Sequence, residues 1–328
     1  MPPLRIGVLG AARIAPQAVV KPAAAHPDVA VTAVAARDLE RARAFAAKHA
    51  IATVHATYDE LVADPELDAV YNPLPNGLHA RWTIAALEAG KHVLCEKPFT
   101  SNAAEARGVA AVAAAHPDQV LMEAFHYRYH PFAERLRSIV QSGELGTVRR
   151  VDTSMCIPLP LFNDIRYDYA LAGGATMDVG CYTVHALRLL AGEEPHVVSA
   201  TAKLQKPNID RAMSAEMRFP SGATGGIRCS MWSRSLLSLG ATVVGDAGTL
   251  KVRNFTMPHL GGKLTVVTPA GKRSEKGGPG RTYTFQLAAF ADAVLRGGPV
   301  LTPPSDSIAN MEVIDAIYAA AGLPLRGT

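Results

Sequence analysis

Three side chains in this sequence are suited to moving a proton at a carbon–oxygen centre, namely Lys97, Asp178 and Tyr182. Asp178 and Tyr182 are four residues apart, so on a helix they share one face. A tyrosine with a pKa of about 10 is a poor base at neutral pH, but a neighbouring ammonium stabilises the tyrosinate and lowers that pKa. The set indicates acid–base chemistry in which Tyr182 transfers the proton, Lys97 lowers its pKa and holds the reacting oxygen, and Asp178 orients the substrate and the lysine.

The same residues also fit structural roles. Glu96-Lys97-Pro98 by itself is a common way for a chain to leave a strand. Asp178 suits a helix N-cap, and Tyr182 suits an aromatic contact in the core. Pro98 restricts Lys97 to extended backbone and permits a cis peptide bond. Gly173-Gly174, just before Asp178, lets the backbone approach a ligand closely.

The first part of the chain must position Lys97. Up to about residue 127, apolar runs alternate with Ala-rich helical stretches. The apolar runs are Leu4–Gly10, Val29–Arg37, Asp68–Leu74, His92–Cys95 and Val120–Phe125, with a weaker one at Thr53–His55. The helical stretches are Ile14–Ala25, Leu39–His49, His79–Ala89 and Ala103–Ala115. This alternation predicts a doubly wound parallel sheet, and Lys97 follows a strand at the carboxyl edge where such sheets bind ligands.

The alternation of apolar runs and helical stretches ends after residue 131. We predict a helix over Pro131–Gln141, a strand over Val148–Cys156, an aromatic loop over Ile157–Tyr169 and a helix from Asp178 to about Leu190. Six strand-like runs follow between Pro195 and Val267, which favours a largely antiparallel sheet. The Gly-, Lys- and Arg-rich stretch Gly271–Arg281 is predicted to be a mobile loop, followed by helices near Phe285–Leu295 and Asp306–Ala321. The predicted fold class is α/β, with domains at 1–127 and 128–328.

The turn after the first apolar run matches a relaxed dinucleotide fingerprint, with Gly10, Ala12 and Ala15 in place of the usual glycines. Gly10 would make the tight turn, and the two alanines are small enough for a pyrophosphate to approach the helix N-terminus. Arg13 and Ile14 lie inside the same turn and are predicted to contact the cofactor.

The end of the second apolar run selects the cofactor. An NAD site usually has Asp or Glu there, whereas this run ends in Arg37, with Arg41 one helical turn further on. Two guanidinium groups suit a 2′-phosphate, so the sequence favours NADP over NAD. The alternative is that both arginines are solvated at a helix start that Asp38 caps.

Composition excludes several other classes. The chain has 328 residues, is 48% hydrophobic and carries a net charge of +4, with Lys and Arg scattered, so nothing favours nucleic acid. Its four cysteines form no CxxC pair and its histidines show no metal-ligand spacing, so we expect no metal. No signal peptide and no apolar run of membrane-spanning length is evident, so we expect a cytoplasmic protein without a membrane partner.

Three segments resemble the Gfo/Idh/MocA oxidoreductase family: Leu74–His79, Gly90–Pro98 and Gly173–Tyr182. The resemblance covers nearly the whole chain. Tyrosine at position 182 makes it most similar to the branch with xylose-type sugar dehydrogenases and dihydrodiol dehydrogenase. Departures from the family pattern are Ala12, Ala175 and Thr176.

The resemblance implies an NADP(H)-dependent oxidoreductase that acts on a small polyhydroxylated or cyclic substrate. It implies a Rossmann domain, a second domain with a large, mostly antiparallel open sheet, a site at the crevice between them, and homodimers or higher homo-oligomers formed through that sheet. It strengthens the catalytic assignment of Lys97 and offers Lys97 itself as an alternative base, as in the relatives with histidine at position 182. Residues expected on the cofactor side are Leu74, Pro75, Asn76, His79, Glu96 and Lys97. His79 has a helix-capping alternative.

Further residues are expected to contact the substrate. Arg128, with Tyr127 beside it, matches the position of a family arginine that faces substrate or cofactor, although a polar hinge is the alternative. Asn163, Asp164 and Arg166 can hydrogen-bond sugar hydroxyls or form an ordinary surface loop. His185 follows Tyr182 on the same helix and can touch substrate or serve as a structural histidine.

Two other functions share this fold. One is a non-catalytic NAD(P)-sensing regulatory protein, which would not need Lys97, Asp178 and Tyr182. The other is an oxidoreductase that recycles a tightly held cofactor between two sugars, and it predicts that NADP co-purifies with the protein.

Overall fold

The computed structural model describes residues 2–327 and divides into two compact units. The first unit runs up to His126 and also includes Tyr283–Ile308. The second comprises Tyr127–Thr282 and the chain from Ala309 onward.

The first unit is built on a parallel sheet of six strands. The strands are β1 Leu4–Leu9, β2 Val29–Ala35, β3 Thr53–His55, β4 Ala69–Asn72, β5 His92–Cys95 and β6 Leu121–Glu123. Their order in the sheet is β3-β2-β1-β4-β5-β6, and every pairing is parallel. This is the predicted doubly wound Rossmann arrangement, in which the order reverses between β1 and β4.

Helices connect these strands. They are α1 Lys21–Ala24, α2 Leu39–His49, α3 Tyr58–Ala63, α4 His79–Glu88 and α5 Ala103–Ala115. Side-chain caps set where several begin, because an unpaired N–H in the first turn needs an acceptor. Asp38 accepts from the backbone N–H of Arg41 at the start of α2, and Asn102 accepts from that of Glu105 at the start of α5. The first helical stretch is less regular than predicted, since a π-helical turn at Pro16–Val20 precedes α1.

The second unit is built on an eight-stranded sheet. Its strands are β7 Val148–Cys156, β8 His196–Lys206, β9 Ile209–Arg218, β10 Thr224–Ser230, β11 Ser238–Gly245, β12 Thr249–Arg253, β13 Lys263–Thr268 and β14 Gly271–Lys276. The order is β14-β13-β12-β11-β7-β10-β9-β8, and only the β7–β10 pair is parallel. The predicted large, mostly antiparallel sheet is therefore confirmed.

The remaining helices are α6 Pro131–Gln141, α7 Cys181–Ala191, α8 Thr282–Arg296 and α9 Pro304–Ala320. Helix α7 packs on β7 and β10, and its residues are nearly all buried. On β9 the residues alternate, with Met213, Ala215 and Met217 buried and the intervening side chains exposed. One face of the sheet is thus apolar and covered, and the other is polar and open.

Two sequence-based expectations differ from the structure. Gly271–Arg281 was expected to be a mobile loop, but its first half forms β14, which pairs in antiparallel register with β13. Its polar side chains are typical of a sheet edge, where one face and one backbone side meet water. The segment Tyr283–Ile308 groups with the first unit although it follows the second sheet, because Thr302 donates to the carbonyl of Glu123 beside β6.

Among the described residues, no helix is both long enough and apolar enough to cross a membrane.

Candidate active site

The turn after β1 has the geometry that a bound dinucleotide requires. Gly10 has φ of +86°, a left-handed conformation that favours glycine, and its N–H donates to the carbonyl of Ala35 at 2.6 Å. A Cβ on Gly10 would lie 3.1 Å from Leu74 Cδ2, so the turn is closely packed against the loop after β4. Ala12 and Ile14 are half-buried beside it and Arg13 is exposed. The small side chains leave the N-terminal end of the following helical segment open to an anion.

Arg37 and Arg41 are both exposed at the carboxyl end of β2. Asp38 is occupied as the N-cap of α2, where it accepts from Arg41 N–H at 3.1 Å. The capping alternative for Asp38 is therefore confirmed. Arg37 stands near the end of β2, where an acidic residue usually holds the ribose 2′-hydroxyl in an NAD site, and the two guanidinium groups there suit a phosphate.

His79 lies at the start of α4 and is completely buried. Its ring does not cap the helix. Instead, Nδ1 lies 2.8 Å from the carbonyl oxygen of Pro98 and Nε2 lies 2.7 Å from that of Leu74. The imidazole therefore joins the loop after β4 to the turn that carries Lys97. This places His79 as a support for both segments, with Pro75 and Asn76 half-buried in the loop it holds.

Burial lowers the pKa of His79 to about 4, and the positive charge of Lys97 acts in the same direction. The two carbonyl oxygens favour the protonated ring but are outweighed. An uncharged imidazole carries one N–H and donates to one of the two carbonyls, whereas a protonated ring donates to both.

Asn72, which the sequence analysis missed, supports the same region. Its buried side chain donates to the carbonyl of His79 and to Thr83 Oγ1, both at 3.2 Å. Its Oδ1 accepts from the N–H of Leu74 at 3.4 Å. An isolated asparagine at a strand end is too common a feature to single out from sequence.

Glu96 and Lys97 follow β5. The carboxylate of Glu96 is buried, where it accepts from Tyr71 Oη at 2.7 Å and from the backbone N–H of Lys97 at 3.3 Å. Lys97 is partly exposed, and the Lys97–Pro98 peptide bond is cis. Burial, with the negative charge of Glu96, raises the pKa of Tyr283 in the same unit. Glu96 is thus a fixed support beside the lysine backbone.

The second unit holds the other candidate residues, beginning with the glycine loop. Gly173 packs so closely that a Cβ would lie 2.7 Å from the carbonyl oxygens of Arg166 and Asp168. Gly174 has φ of +132°, and its carbonyl accepts from the N–H of Asp178 at 3.0 Å. A π-helical turn at Thr176–Gly180 then leads into α7. The loop therefore determines where Asp178 and the start of the helix lie.

Asp178 is paired with Arg166, whose Nε lies 3.2 Å from Asp178 Oδ2. Arg166 Nη1 lies 2.9 Å from Asp164 Oδ1, so the guanidinium group bridges two carboxylates. The side chain of Asp178 is 17% exposed and caps no helix, because the residue at the N-cap position is Ala175. The N-cap alternative is wrong. The structure brings Asp164, Arg166 and Asp178 together, as a shared substrate-binding role requires.

Tyr182 is 5% exposed and belongs to an aromatic cluster in the second unit. Its ring centroid lies 6.1 Å from that of Tyr127, and Tyr127 Oη lies 2.5 Å from His185 Nδ1. His185 is 3% exposed, so its Nδ1 serves as a structural partner of Tyr127. The cluster fixes the Tyr182 ring next to a polar pair inside the second unit.

Arg128 is close to this cluster in sequence but has a different environment. Its side chain is 11% exposed, and Nη1 lies 3.7 Å from Glu134 Oε2, too far for a hydrogen bond. Within residues 2–327 this nitrogen is buried and has no hydrogen-bond partner. A buried guanidinium N–H needs an acceptor, and the contact of Arg128 with substrate stays a prediction.

A metal centre finds no support in the described part of the chain, because no three His, Cys, Asp or Glu side chains are grouped closely enough to hold an ion.

Comparison with known proteins identifies the class. Residues 4–124 match the model of an oxidoreductase family with an NAD-binding Rossmann fold, and residues 133–251 match that of the GFO/IDH/MocA C-terminal domain. The chain is 38% identical over 321 residues to D-xylose 1-dehydrogenase (NADP(+)) 2 of Haloferax volcanii, covering 97% of both chains. It therefore belongs to the Gfo/Idh/MocA oxidoreductase family, as its motifs predict.

Two further similar proteins are named as reductases. A dTDP-3,4-didehydro-2,6-dideoxy-alpha-D-glucose 3-reductase of Streptomyces violaceoruber is 36% identical, over 90% of this chain and 86% of its own. A crystal structure of a 3-ketoreductase from Actinomadura kijaniata with NADP and TDP-benzene superposes with a TM-score of 0.88 and 29% identity, covering 97% and 98% of the two chains.

Proposed function

We propose that this enzyme transfers hydride between NADP(H) and a carbinol or carbonyl carbon of a sugar, polyol or cyclic diol, with Tyr182 as the general acid and base. The observation that carries the proposal is the arrangement at the start of α7. There a glycine loop leads to Asp178, whose carboxylate is held by Arg166, and to a buried Tyr182 one turn later.

The cofactor is NADP. The Haloferax relative is named for NADP(+), and the Actinomadura structure contains NADP. The residues of this chain fit that group, since Gly10 forms a left-handed turn at the end of β1 and Arg37 and Arg41 are exposed at the end of β2. Together with Ala12, Arg13 and Ile14 they would hold the pyrophosphate and the 2′-phosphate. When bound, the nicotinamide supplies or accepts the hydride.

The protein side chains handle the proton. In the reducing direction, Tyr182 Oη donates a proton to the carbonyl oxygen as that oxygen gains negative charge, and in the oxidising direction the tyrosinate removes the hydroxyl proton. Lys97 is assigned as the cation that would stabilise the tyrosinate, since a neighbouring ammonium favours an ionised phenol. The cis bond to Pro98 and the His79 and Glu96 contacts define the backbone around Lys97.

Asp178 and its neighbours would hold the substrate. A carboxylate positioned by Arg166 can accept from a sugar hydroxyl, and the guanidinium group can donate to a second one. Asp164 holds Arg166 in place, while Arg128 offers a buried donor. Adjacent donors and acceptors of this kind match the vicinal hydroxyl groups of a sugar or a diol. His185 would act through Tyr127 and the ring of Tyr182.

The test is a panel of aldoses, inositols and cyclic dihydrodiols, assayed by nicotinamide absorbance with NADP+ and NAD+, followed by Tyr182→Phe. We expect turnover of at least one class with NADP, and a loss of about 10²- to 10⁴-fold in kcat for Tyr182→Phe with unchanged NADP affinity. Full kcat in that variant would refute the acid–base role. Tight NADP binding with no turnover of any substrate would instead support a cofactor-sensing protein.

We also propose that the chain forms homodimers through the open face of the eight-stranded sheet. This face has a shallow cavity with a volume of about 540 Å³, lined in part by the polar side chains of Ser154, Glu216 and Arg228. Arg150 on β7 pairs with Asp152 on the same strand and with Glu216 on β9, across the intervening strand β10. Sedimentation of the wild type and of Ser154→Arg would test this, with a monomeric wild type as the result that rejects it.

A further inference from the structure

An ion pair buried inside the second unit lies directly behind the glycine loop. Arg326, near the carboxyl terminus, and Asp210, on β9, are both fully buried, and Arg326 Nη2 lies 2.9 Å from Asp210 Oδ1. A buried charge is tolerated only when paired and hydrogen-bonded, so the other contacts of these two groups reveal what the pair holds.

Asp210 accepts four hydrogen bonds. Its Oδ2 accepts from both the backbone N–H and the hydroxyl of Thr176, each at 2.7 Å. Its Oδ1 accepts from Arg326 at 2.9 Å and from Tyr318 Oη at 3.0 Å. The carboxylate thus binds the first residue of the π-helical turn that contains Asp178.

Arg326 binds the other side of the same loop. Its Nε donates to the carbonyl of Gly173 at 2.7 Å, and the guanidinium carbon lies 4.0 Å from the ring centroid of Tyr318. The preceding residue is also anchored, since Tyr169 Oη donates to the carbonyl of Leu325 at 2.6 Å. The carboxyl-terminal segment is therefore joined to both ends of the loop.

The loop has no space for a side chain at the point of contact. A Cβ on Gly174 would lie 2.2 Å from Asp210 Oδ1 and 3.0 Å from Arg326 Nη2. The ion pair therefore packs directly on the glycine backbone, and a change in its geometry has to move that backbone. Asp178 follows at once, because its N–H is bonded to the carbonyl of Gly174.

We propose that Arg326 and Asp210 are positioning residues, which through Gly173–Thr176 fix where Asp178 and Tyr182 stand. The inference rests on the proposed function in one respect, that Asp178 and Tyr182 act on substrate. Neither member of the pair touches substrate, since both are fully buried within the second unit. The carboxyl-terminal segment is then part of the catalytic apparatus even though it lies far from the catalytic residues in sequence.

Stability alone does not require an ion pair at this buried position. Well-packed apolar residues of similar volume commonly stabilise a fold as well as a buried ion pair does. What the pair supplies is directed bonds to particular backbone atoms of the loop, and small displacements of catalytic groups reduce rates strongly. Removing only one partner of a buried pair also destabilises a fold, so a positioning role predicts a local rise in exchange and a loss of kcat beyond what the lower stability accounts for.

The experiment compares Arg326→Met with the wild type. We expect kcat to fall by about 10- to 100-fold, while NADP affinity stays within about twofold because the cofactor residues lie in the first unit. Hydrogen–deuterium exchange should rise in peptides covering residues 172–180 and stay unchanged elsewhere. Arg326→Lys, which keeps the charge but loses the planar fork, should recover part of the protection and part of kcat.

Arg188→Met is the matched control. Arg188 is 7% exposed and pairs with the exposed Glu194 at 2.7 Å near the far end of α7, so its loss removes an arginine ion pair away from the loop. We expect lower thermal stability but normal exchange in residues 172–180. If the two methionine variants lose kcat in proportion to stability, with no local change in exchange, the role of Arg326 is merely structural and the proposal fails.

Two further results are covered: an Arg326→Met variant that does not fold, and a wild type that turns over no substrate. If Arg326→Met does not fold, Tyr318→Phe removes one hydrogen bond to Asp210 and should raise exchange over the same peptides to a smaller degree. If the wild type turns over no substrate, the proposed function fails. Hydrogen–deuterium exchange over residues 172–180 then still tests whether Arg326 holds the glycine loop. Unchanged exchange and unchanged kcat in folded Arg326→Met would overturn the inference outright.

Discussion

Arg166 Nε lies 3.2 Å from Asp178 Oδ2, while the same guanidinium group contacts Asp164 at 2.9 Å. The negative charge of Asp178 is the main reason that the pKa of Arg166 is raised. The loop before the glycines and the helix after them are therefore held by one cation. The orientation of the Asp178 carboxylate therefore depends on Arg166, which lies in the loop before the glycines.

Arg166→Met should therefore impair catalysis without unfolding the protein. The side chain of Arg166 is 40% exposed and that of Asp178 is 17% exposed, but that of Asp164 is only 3% exposed, so a lower melting temperature should accompany the loss of activity. A charge-assisted hydrogen bond of about 1.5–3 kcal/mol corresponds to a fall in kcat/KM of roughly 10- to 100-fold. Steady-state kinetics measure it. Arg149→Met, which removes an exposed pair with Asp246, should leave kcat/KM unchanged, and equal losses in both variants would contradict the assignment.

Arg37→Asp should change the cofactor preference. The substitution replaces a phosphate-binding cation with a carboxylate suited to a ribose 2′-hydroxyl. We expect NADP affinity to fall by about 100-fold and NAD affinity to rise, as measured by calorimetric titration. Arg43→Gln is the control, because Arg43 lies nearby on α2 but pairs with Glu40 on the exposed surface of that helix. A variant that still prefers NADP would show that Arg37 is not the discriminating residue.

Local patterns were enough to predict the fold. Apolar runs separated by helical stretches indicated the parallel sheet, and successive strand-like runs indicated the antiparallel one, since both depend on periodicity within a few residues. The edge strand β14 was missed because its polar side chains lack that periodicity, and its structure comes from pairing with β13. The association of Tyr283–Ile308 with the first unit depends on contacts with residues far away in sequence, such as Thr302 with Glu123.

The residues of the candidate site also fall into two groups, those that local motifs predict and those that depend on tertiary contacts. Gly10, Lys97, Asp178 and Tyr182 stand in motifs whose spacing carries information, so they could be named from sequence. Asn72, Asp210 and Arg326 could not, because each is a single polar residue whose partners are set by the tertiary fold. Arg326 and Asp210 are 116 positions apart, and nothing near either residue indicates the other.

His79 should make the stability of the protein depend on pH in acid. Its folded pKa of about 4 lies below the ordinary histidine value of 6.5, so the unfolded chain binds the proton more readily between these values. The stabilisation from this residue is full above pH 6.5 and is lost as pH falls toward 4, by up to about 3 kcal/mol. Urea unfolding of the wild type and of His79→Gln across this range measures it.

The quantity to compare is the difference in the free energy of unfolding between the wild type and His79→Gln, since the other acidic and basic groups titrate alike in both. The stability advantage of the wild type should shrink as the pH is lowered. An advantage that grows in acid would mean that the ring is protonated in the folded state and donates to both the Leu74 and the Pro98 carbonyls. In that case burial would not be the dominant influence on its pKa.

Gly174→Ala should be far more damaging than another glycine-to-alanine change at positive φ. Gly192 has φ of +72°, and a Cβ added there would have nothing within 4 Å, so Gly192→Ala should cost only about 1–2 kcal/mol of backbone strain. At Gly174 the Cβ would lie 2.2 Å from Asp210 Oδ1 and 2.8 Å from Tyr318 Oη, with φ of +132°. Strain and overpacking together should cost roughly 3 kcal/mol or more.

Thermal unfolding of the two alanine variants distinguishes them, and kinetics add a second measure. Because the Gly174 carbonyl binds the N–H of Asp178 at 3.0 Å, displacement of this backbone also moves the catalytic helix. Gly174→Ala should therefore lose kcat even at temperatures where it remains folded, whereas Gly192→Ala should keep it. Equal melting temperatures and equal kcat in the two variants would mean that the loop adapts freely, and that the close approach of Asp210 does not constrain it.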